Sequence, residues 1–192
     1  MNLEEAYRIE NRLFNDVSKM GKDFIILTHT FKDSQLRRPD NSPERMRAVG
    51  HNIRQACQSK DFRIRLNDLA FLIKDEVQHS TGHCHTPVWL EPLRRKKINI
   101  NYFLNVLHGY WSAPFESYRN SSWRELENSI TEPKHGWLKS EFPKEGTELH
   151  SLRYQTKFVK NDIVVGANYH ASRSLVKKLN SMNEELYILE RN

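Results

Sequence analysis

Hydrophobic and polar residues alternate along the chain with two different periods, and the changes of period predict the order of the elements. Apolar residues recur at helical spacing over residues 3–20, and Gly21 is a suitable helix stop. Residues 23–31, with the sequence DFIILTHTF, are rich in the β-branched and aromatic side chains typical of strands. A polar loop follows, and the Ser42-Pro43 pair predicts a helix that extends to about residue 59.

The middle of the chain contains two strand-like runs, residues 69–78 and 83–92, separated by a polar break. This pattern outlines a β-hairpin. The sequence INYFLNVLHGYW beyond it predicts a helix, and the stretch from Pro114 to Pro133 indicates an irregular connection.

Helical periodicity returns near the C-terminus, where residues 145–160 predict a helix. Its expected buried stripe is Leu149, Leu152, Thr156 and Val159. A short strand over residues 163–169 and a closing helix over residues 172–185 follow. The mixture of strands and helices predicts an α+β fold with a central antiparallel sheet flanked by helices.

We expect a single domain over residues 1–192, made of an N-terminal helix (1–21), a core (23–175) and a C-terminal helix (176–192), because the sequence shows no repeat and no long linker. Hydrophobic residues make up 38% of the chain, which is sufficient for a core. Two cysteines in unrelated contexts and the lack of an apolar run of about 20 residues favour a cytoplasmic protein outside the membrane.

The formal charge of +6 favours a polyanionic partner, and the aromatic residues spread along the chain are typical of proteins that bind single strands. The basic residues of the loop at 32–41 and of the later Arg-Lys run are candidates for DNA contacts. These candidates are Lys32, Arg37, Arg38, Arg94 and Arg95.

The hairpin carries the most specific chemistry. His83 and His85 are two residues apart, so on a strand their imidazoles share one face. A turn centred on Ser80-Thr81 would place Glu76 opposite His85 and Gln78 opposite His83. One carboxylate and two imidazoles on a single face predict a site for Mg²⁺ or Mn²⁺ with open positions for phosphate oxygens.

Two other interpretations of the hairpin remain open. His79 fits a turn residue, and Glu76 fits a solvated strand residue. A closed zinc site made of His79, His83, Cys84 and His85 is also possible by residue type, although side chains from both strand faces would have to converge.

The late predicted helix carries Tyr154 and Lys157, which at i and i+3 lie on the same side and can reach one phosphate. A phenol, with an ordinary pKa near 10, is a weak nucleophile until a cation or a base assists its deprotonation. Lys157 is a candidate for that cation. By itself, the Tyr-x-x-Lys pair is more typical of an ordinary pair of exposed residues on a helix.

These motifs, FIILTHTF, then E-x5-GHCHT, then Y-x-x-K, resemble the three motifs of HUH endonucleases, the initiators of rolling-circle replication. The details are similar to inovirus-type replication proteins with a YagK/YfjJ-like domain, over about residues 23–175. The resemblance implies a Rep-like variant of the ferredoxin-like fold. The cysteine inside the His-x-His pair and a His29 that interrupts the usual Thr-x-Thr of the first motif depart from the family pattern.

For the site, the resemblance implies metal ligation by His83, His85 and Glu76, a nucleophilic Tyr154 and an assisting Lys157. It implies single-stranded origin DNA as substrate, with a host polymerase and helicase as partners. Tyr169 remains open as a second nucleophile. The alternatives are a DNA-binding regulator of a mobile element that does not cut, and a structural zinc protein.

Overall fold

The computed structural model describes residues 2–59, 62, 64–78, 81–111, 135–160, 163–164 and 168–182. The helices are α1 (Leu3–Ser18), α2 (Ser34–Arg37), α3 (Ser42–Gln58), α4 (Glu91–Arg95), α5 (Ile100–Trp111), α6 (Glu148–Gln155) and α7 (Arg173–Met182), with a 3₁₀ turn at Leu66–Asp68. The strands are β1 (Phe24–His29), β2 (Leu72–Gln78), β3 (Thr81–Trp89), β4 (Leu138–Glu141), β5 (Val159–Lys160), β6 (Ile163–Val164) and β7 (Tyr169–Ala171).

Five of these strands form one antiparallel sheet in the order β4-β1-β3-β2-β7. Both β1 and β2 run antiparallel to β3, so they are parallel to each other, and α3 lies in the connection between them. Inserting β3 between them makes a split β-α-β unit. The predicted α+β class, with an antiparallel sheet flanked by helices, is confirmed.

Helices cover both faces of this sheet, which explains why β1 is a nearly continuous apolar run rather than an alternating one. On one face the sheet packs against α3 and α5 through a core that includes Ile25, Leu27, Val49, Ile53, Ile73, Phe103 and Leu107. On the other face it packs against α1, α6 and α7 through a core that includes Leu13, Val17, Phe24, Ile26, Leu72, Trp89, Leu152, Leu175 and Leu179.

The prediction of a helix over residues 145–160 is wrong at both ends. α6 begins only at Glu148, after Gly146 with a φ of 80°. It ends at Gln155 because the carboxylate of Glu10 on α1 accepts the peptide N–H groups of Phe158 at 2.9 Å and Val159 at 3.3 Å, which draws the chain away from the helix axis. Leu149, expected to be buried, is 44% exposed.

The predicted strand at 163–169 is divided. Its first part, β6, pairs with β5 in a separate two-stranded ribbon, and β7 joins the edge of the main sheet. The predicted connection between Pro114 and Pro133, the turn residue His79 and the end of the closing helix lie outside the described residues.

A buried ion pair fixes the hairpin against α3. The guanidinium of Arg45 is completely buried and donates to both carboxylate oxygens of Asp75, at 2.6 and 2.7 Å. Its remaining N–H groups donate to the carbonyls of Leu36, Arg38 and Pro39, so it also orders the loop before α3. A Cβ at Gly82 would lie 2.3 Å from Arg45 Cζ, so any other residue there would displace the guanidinium.

We therefore expect Gly82→Ala to lower the free energy of unfolding by roughly 2 kcal/mol or more, because the added methyl group would displace a buried guanidinium from its hydrogen bonds to Asp75 and to the three carbonyls. Urea denaturation measures the effect. Gly109→Ala is the matched control, since nothing lies near its Cβ on α5 and alanine favours the helix by about 0.5–1 kcal/mol. Equal midpoints for Gly82→Ala and the unsubstituted chain would contradict this packing.

A second prediction concerns His29, which is fully buried beside Asn52, with Nε2 3.1 Å from the amide oxygen. Burial lowers the pKa of His29 from 6.5 to about 4. The unfolded chain thus takes up a proton first as the pH falls, and stability present above pH 6.5 is lost towards pH 4, on the order of 3 kcal/mol from this residue.

Urea unfolding at a series of pH values measures this loss. His29→Gln should flatten the pH dependence by about one proton, because it removes the group that takes up a proton only in the unfolded chain over this pH range. An unchanged slope in His29→Gln would show that His29 is not held neutral.

Candidate functional site

The hairpin places its three predicted metal ligands on one face, but in a register different from the predicted one. Glu76 lies opposite His83, and Lys74, not Glu76, lies opposite His85. Gln78 pairs with Thr81 instead of His83, so the turn is centred one residue earlier than expected. Moving the turn by one residue shifts the pairing by two, which preserves the face on which each side chain lies.

The ligand atoms of Glu76, His83 and His85 all lie within 4.8 Å of one another. The closest recorded approach is 3.7 Å, between His85 Nε2 and Glu76 Oε2. The two imidazole rings are nearly perpendicular, with centroids 4.9 Å apart. A carboxylate and two imidazoles at these separations fit a divalent metal ion that keeps open positions.

Thr28 on β1 orients the second imidazole. Its hydroxyl lies 3.2 Å from His85 Nδ1, and the two residues are direct cross-strand partners. If the hydroxyl accepts from Nδ1, then Nε2 carries the free lone pair that faces Glu76, as a metal ligand requires. Thr28 and Thr30 share the site face, while His29 points to the opposite core, so the histidine does not interrupt the Thr-x-Thr pattern.

The protonation states suit metal binding. Burial, aided by the neighbouring His83, lowers the pKa of His85 to about 3, and burial also lowers the pKa of His83. Both rings are therefore neutral at neutral pH, the form that binds metal ions. Burial raises the pKa of Glu76, but the charge of Lys74 outweighs it, and the net pKa lies below the ordinary value.

Lys74 is a component that the sequence reasoning missed. It is only 1% exposed, and its ammonium lies 3.3 Å from Glu76 Oε2. Burial lowers its pKa, whereas the charge of Glu76 acts to raise it. A lysine two positions before a glutamate on a strand shares its face, and this spacing was the available signal.

Cys84 does not belong to the site. Its thiol is completely buried in the opposite core and lies 3.6 Å from Asp75 Oδ1. Burial, together with Asp75, raises its pKa well above the ordinary value, which disfavours the thiolate that zinc requires. The closed zinc site that included Cys84 is therefore wrong, because the sheet separates this thiol from the two imidazoles.

Tyr154 meets the histidine pair across a cleft of about 440 Å³. Its ring centroid is 6.2 Å from that of His85, at an interplanar angle of 79°, and the residue is 42% exposed. The described residues that line this cleft are Thr28, Thr30, His83, His85, Lys139, Glu141 and Tyr154. The hairpin and α6 thus bring a phenol close to the candidate metal ligands.

Helix α1 holds α6 in this position. Arg153, next to Tyr154, donates a hydrogen bond to Asn11 and lies 3.5 Å from the carboxylate of Glu10. Its guanidinium also lies 4.8 Å from the centre of the Phe14 ring. With Leu152 buried in the core beneath, these contacts direct the next side chain, Tyr154, into the cleft.

The other predicted catalytic groups are placed differently. Lys157 is exposed, lies beyond the end of α6, and is not among the described residues that line the cleft. Tyr169 is 6% exposed and stacks on Phe158 in the core, with centroids 5.8 Å apart. Tyr169 is not among the described residues that line the cleft.

The five basic residues proposed for DNA contacts are not gathered at this cleft. Arg94 on α4 forms a bidentate ion pair with Asp23, with distances of 2.6 and 2.9 Å. Asp23 precedes the end of β1 that is farther from the site, and Arg95 lies on the same helix as Arg94. Arg37, the last residue of α2, and Arg38, which follows it, are both exposed, and the carbonyl of Arg38 accepts a hydrogen bond from Arg45. Lys32 lines a separate cavity beside α3 with Trp111 and His135.

No family model matches the chain, and neither the curated proteins nor the solved structures contain a match. In the described part of the chain, every helix is too short or too polar to cross a bilayer.

We expect the protein to bind one Mn²⁺ per chain and His85→Ala to abolish this binding, because it removes one of the three candidate ligands. Thr28→Val should weaken binding about tenfold to a hundredfold by releasing the ring orientation. Calorimetric titration measures both effects.

Thr86→Val provides the control. Thr86 is on β3, is buried on the opposite face, and its hydroxyl has no hydrogen-bond partner among the described residues. Unweakened Mn²⁺ binding by His85→Ala, or equal losses in Thr28→Val and Thr86→Val, would contradict the assigned ligand set.

Proposed function

We propose that the protein is a metal-dependent HUH-type endonuclease that cuts single-stranded DNA by joining its 5′ phosphate to Tyr154. The main supporting observation is the 6.2 Å separation between the rings of Tyr154 and His85 in one cleft. A nucleophile from a helix and a metal-ligand set from a hairpin can then contact one phosphate. The proposal includes the Rep-like variant of the observed α+β architecture.

In the proposed reaction, the Tyr154 oxygen attacks the scissile phosphorus and the bond to the 3′ oxygen breaks. The phenol loses its proton and the departing 3′ oxygen gains one, so protons balance and one phosphate ester replaces another. The products are a 5′-phosphotyrosine and a free 3′-hydroxyl. Because the ester energy is retained, reverse attack by a 3′-hydroxyl can rejoin ends.

Glu76, His83 and His85 would hold the Mg²⁺ or Mn²⁺ ion, which when bound polarises a non-bridging phosphate oxygen. The chain's own contribution is orientation. Thr28 fixes the His85 ring, and Arg153 anchors the helix that presents Tyr154. Exposure of Tyr154 leaves room for a DNA strand to reach the phenol.

The proposed biological role is initiation of rolling-circle replication of a phage, plasmid or other mobile element in the cytoplasm. A host polymerase would extend the 3′-hydroxyl. A partner helicase would unwind the duplex.

The test is formation of a covalent adduct between purified protein, single-stranded DNA and Mn²⁺, detected as a band shift that survives denaturation. Tyr154→Phe should abolish the adduct because it removes the attacking oxygen. Tyr102→Phe should not, although Tyr102 is equally exposed, at 43% against 42%. Chelation of the metal should also prevent adduct formation.

An adduct that persists in Tyr154→Phe would remove Tyr154 from the reaction. DNA binding without any adduct in the unsubstituted chain would favour the regulator that does not cut.

A further inference from the structure

We infer that Lys139 on β4 is the side chain that binds the DNA phosphate between Tyr154 and the histidine pair. This assignment rests on the proposed endonuclease function and extends it. Of the described residues that line the cleft, Lys139 is the only lysine or arginine. Nothing in the sequence pattern singled it out, because it lies far from all three motifs.

The sheet places Lys139 in the same cross-strand row as the metal-ligand set. Lys139 is the direct partner of Thr28, and Thr28 is the direct partner of His85. Two interstrand spacings therefore separate Lys139 from His85, a distance of about 10 Å between Cα atoms. A flexible four-carbon stem bridges part of this distance, so its ammonium can contact a phosphate bound near His85.

The ion pair that Lys139 now makes is easily replaced. Its ammonium lies 2.5 Å from Glu141 Oε1, and the two side chains are 35% and 53% exposed. Exposed pairs of this kind contribute little net free energy. A phosphate oxygen offers the same charge-assisted hydrogen bond, so DNA can displace Glu141 at low cost.

Neither of the other lysines near the site fits this role. Lys74 is 1% exposed and its ammonium is bound to Glu76, so DNA cannot touch it. Lys157 lies beyond the end of α6 and outside the cleft lining. Lys139 is thus the cation with both access to solvent and a position in the cleft.

Glu141 gives the assignment a second consequence. It lines the same cleft and carries a negative charge towards the path of the strand. Glu141→Gln should therefore tighten DNA binding, since it removes both the competing partner of Lys139 and the repulsion of phosphate.

The test measures binding of a pool of random-sequence single-stranded oligonucleotides by fluorescence anisotropy, with Mn²⁺ present, over a range of salt concentrations. All proteins carry Tyr154→Phe so that binding is separated from cutting. Adding Lys139→Met should weaken DNA binding about tenfold. The negative slope of the logarithm of the binding constant against the logarithm of the salt concentration should become shallower by about 0.7, the value for one phosphate contact to a single strand.

Three further variants sharpen the result. Lys139→Arg should retain the salt slope, and Glu141→Gln should tighten binding. Lys144→Met is the matched control, because Lys144 is an exposed lysine five residues along the same segment but outside the cleft lining, and its binding should equal that of the parent.

Two outcomes are distinguished by assaying the adduct in proteins that retain Tyr154. If the unsubstituted chain forms the adduct but Lys139→Met binds DNA as tightly as its parent with the same salt slope, the Lys139 assignment is overturned and the endonuclease proposal stands. If the unsubstituted chain forms no adduct, the endonuclease proposal is overturned. The phosphate-binding role of Lys139 in that reaction is then overturned as well.

Discussion

The strict alternation of side chains along the β2–β3 hairpin is the constraint on which the rest of the structure depends. Asp75 and Cys84 face α3, where Asp75 receives the buried guanidinium of Arg45. Glu76 and His85, their immediate neighbours, face the cleft. The same backbone therefore anchors the hairpin on one face and presents the ligand set on the other. Because Arg45 also packs on Gly82, a slip of one residue would break the ion pair and reverse both faces at once.

Electrostatics in the cleft follow from differences in burial along one row of the sheet. His85 is buried enough to remain neutral, and Lys74 beyond it is sealed against Glu76. Lys139, on the other side of Thr28, stays accessible to solvent. Under the function proposed above, a neutral histidine pair at the centre of the site and an accessible cation at its open edge would suit a polyanionic strand that enters from β4.

Much of the fold was predictable from the sequence because local patterns determine it. The period of apolar residues predicted α1, α3, α5 and the hairpin. The alternation of side chains along the two paired strands predicted that His83, His85 and Glu76 share one face, even though the turn was placed one residue too late. Such an error does not change the face on which each side chain lies, since moving the turn by one residue shifts the pairing by two.

What could not be predicted depends on contacts distant in sequence. The end of α6 is determined by Glu10, about 145 residues earlier, whose carboxylate accepts peptide N–H groups that would otherwise continue the helix. Lys139 enters the cleft only because β4 pairs with β1, a relation that no spacing in the sequence encodes. The proximity of Tyr154 to His85 likewise requires α1 to hold α6.

The central claim is that the phenol of Tyr154 lies beside a metal ion held by the hairpin. Fluorine NMR of the protein labelled with 3-fluorotyrosine tests it directly, because bound Mn²⁺ broadens nearby resonances with a steep dependence on distance. We predict that Mn²⁺ removes the Tyr154 resonance, assigned with the phenylalanine variant, and leaves that of Tyr102, which lies on the opposite face of the sheet, sharp. A Tyr154 resonance that stays sharp at saturating Mn²⁺ would contradict the account.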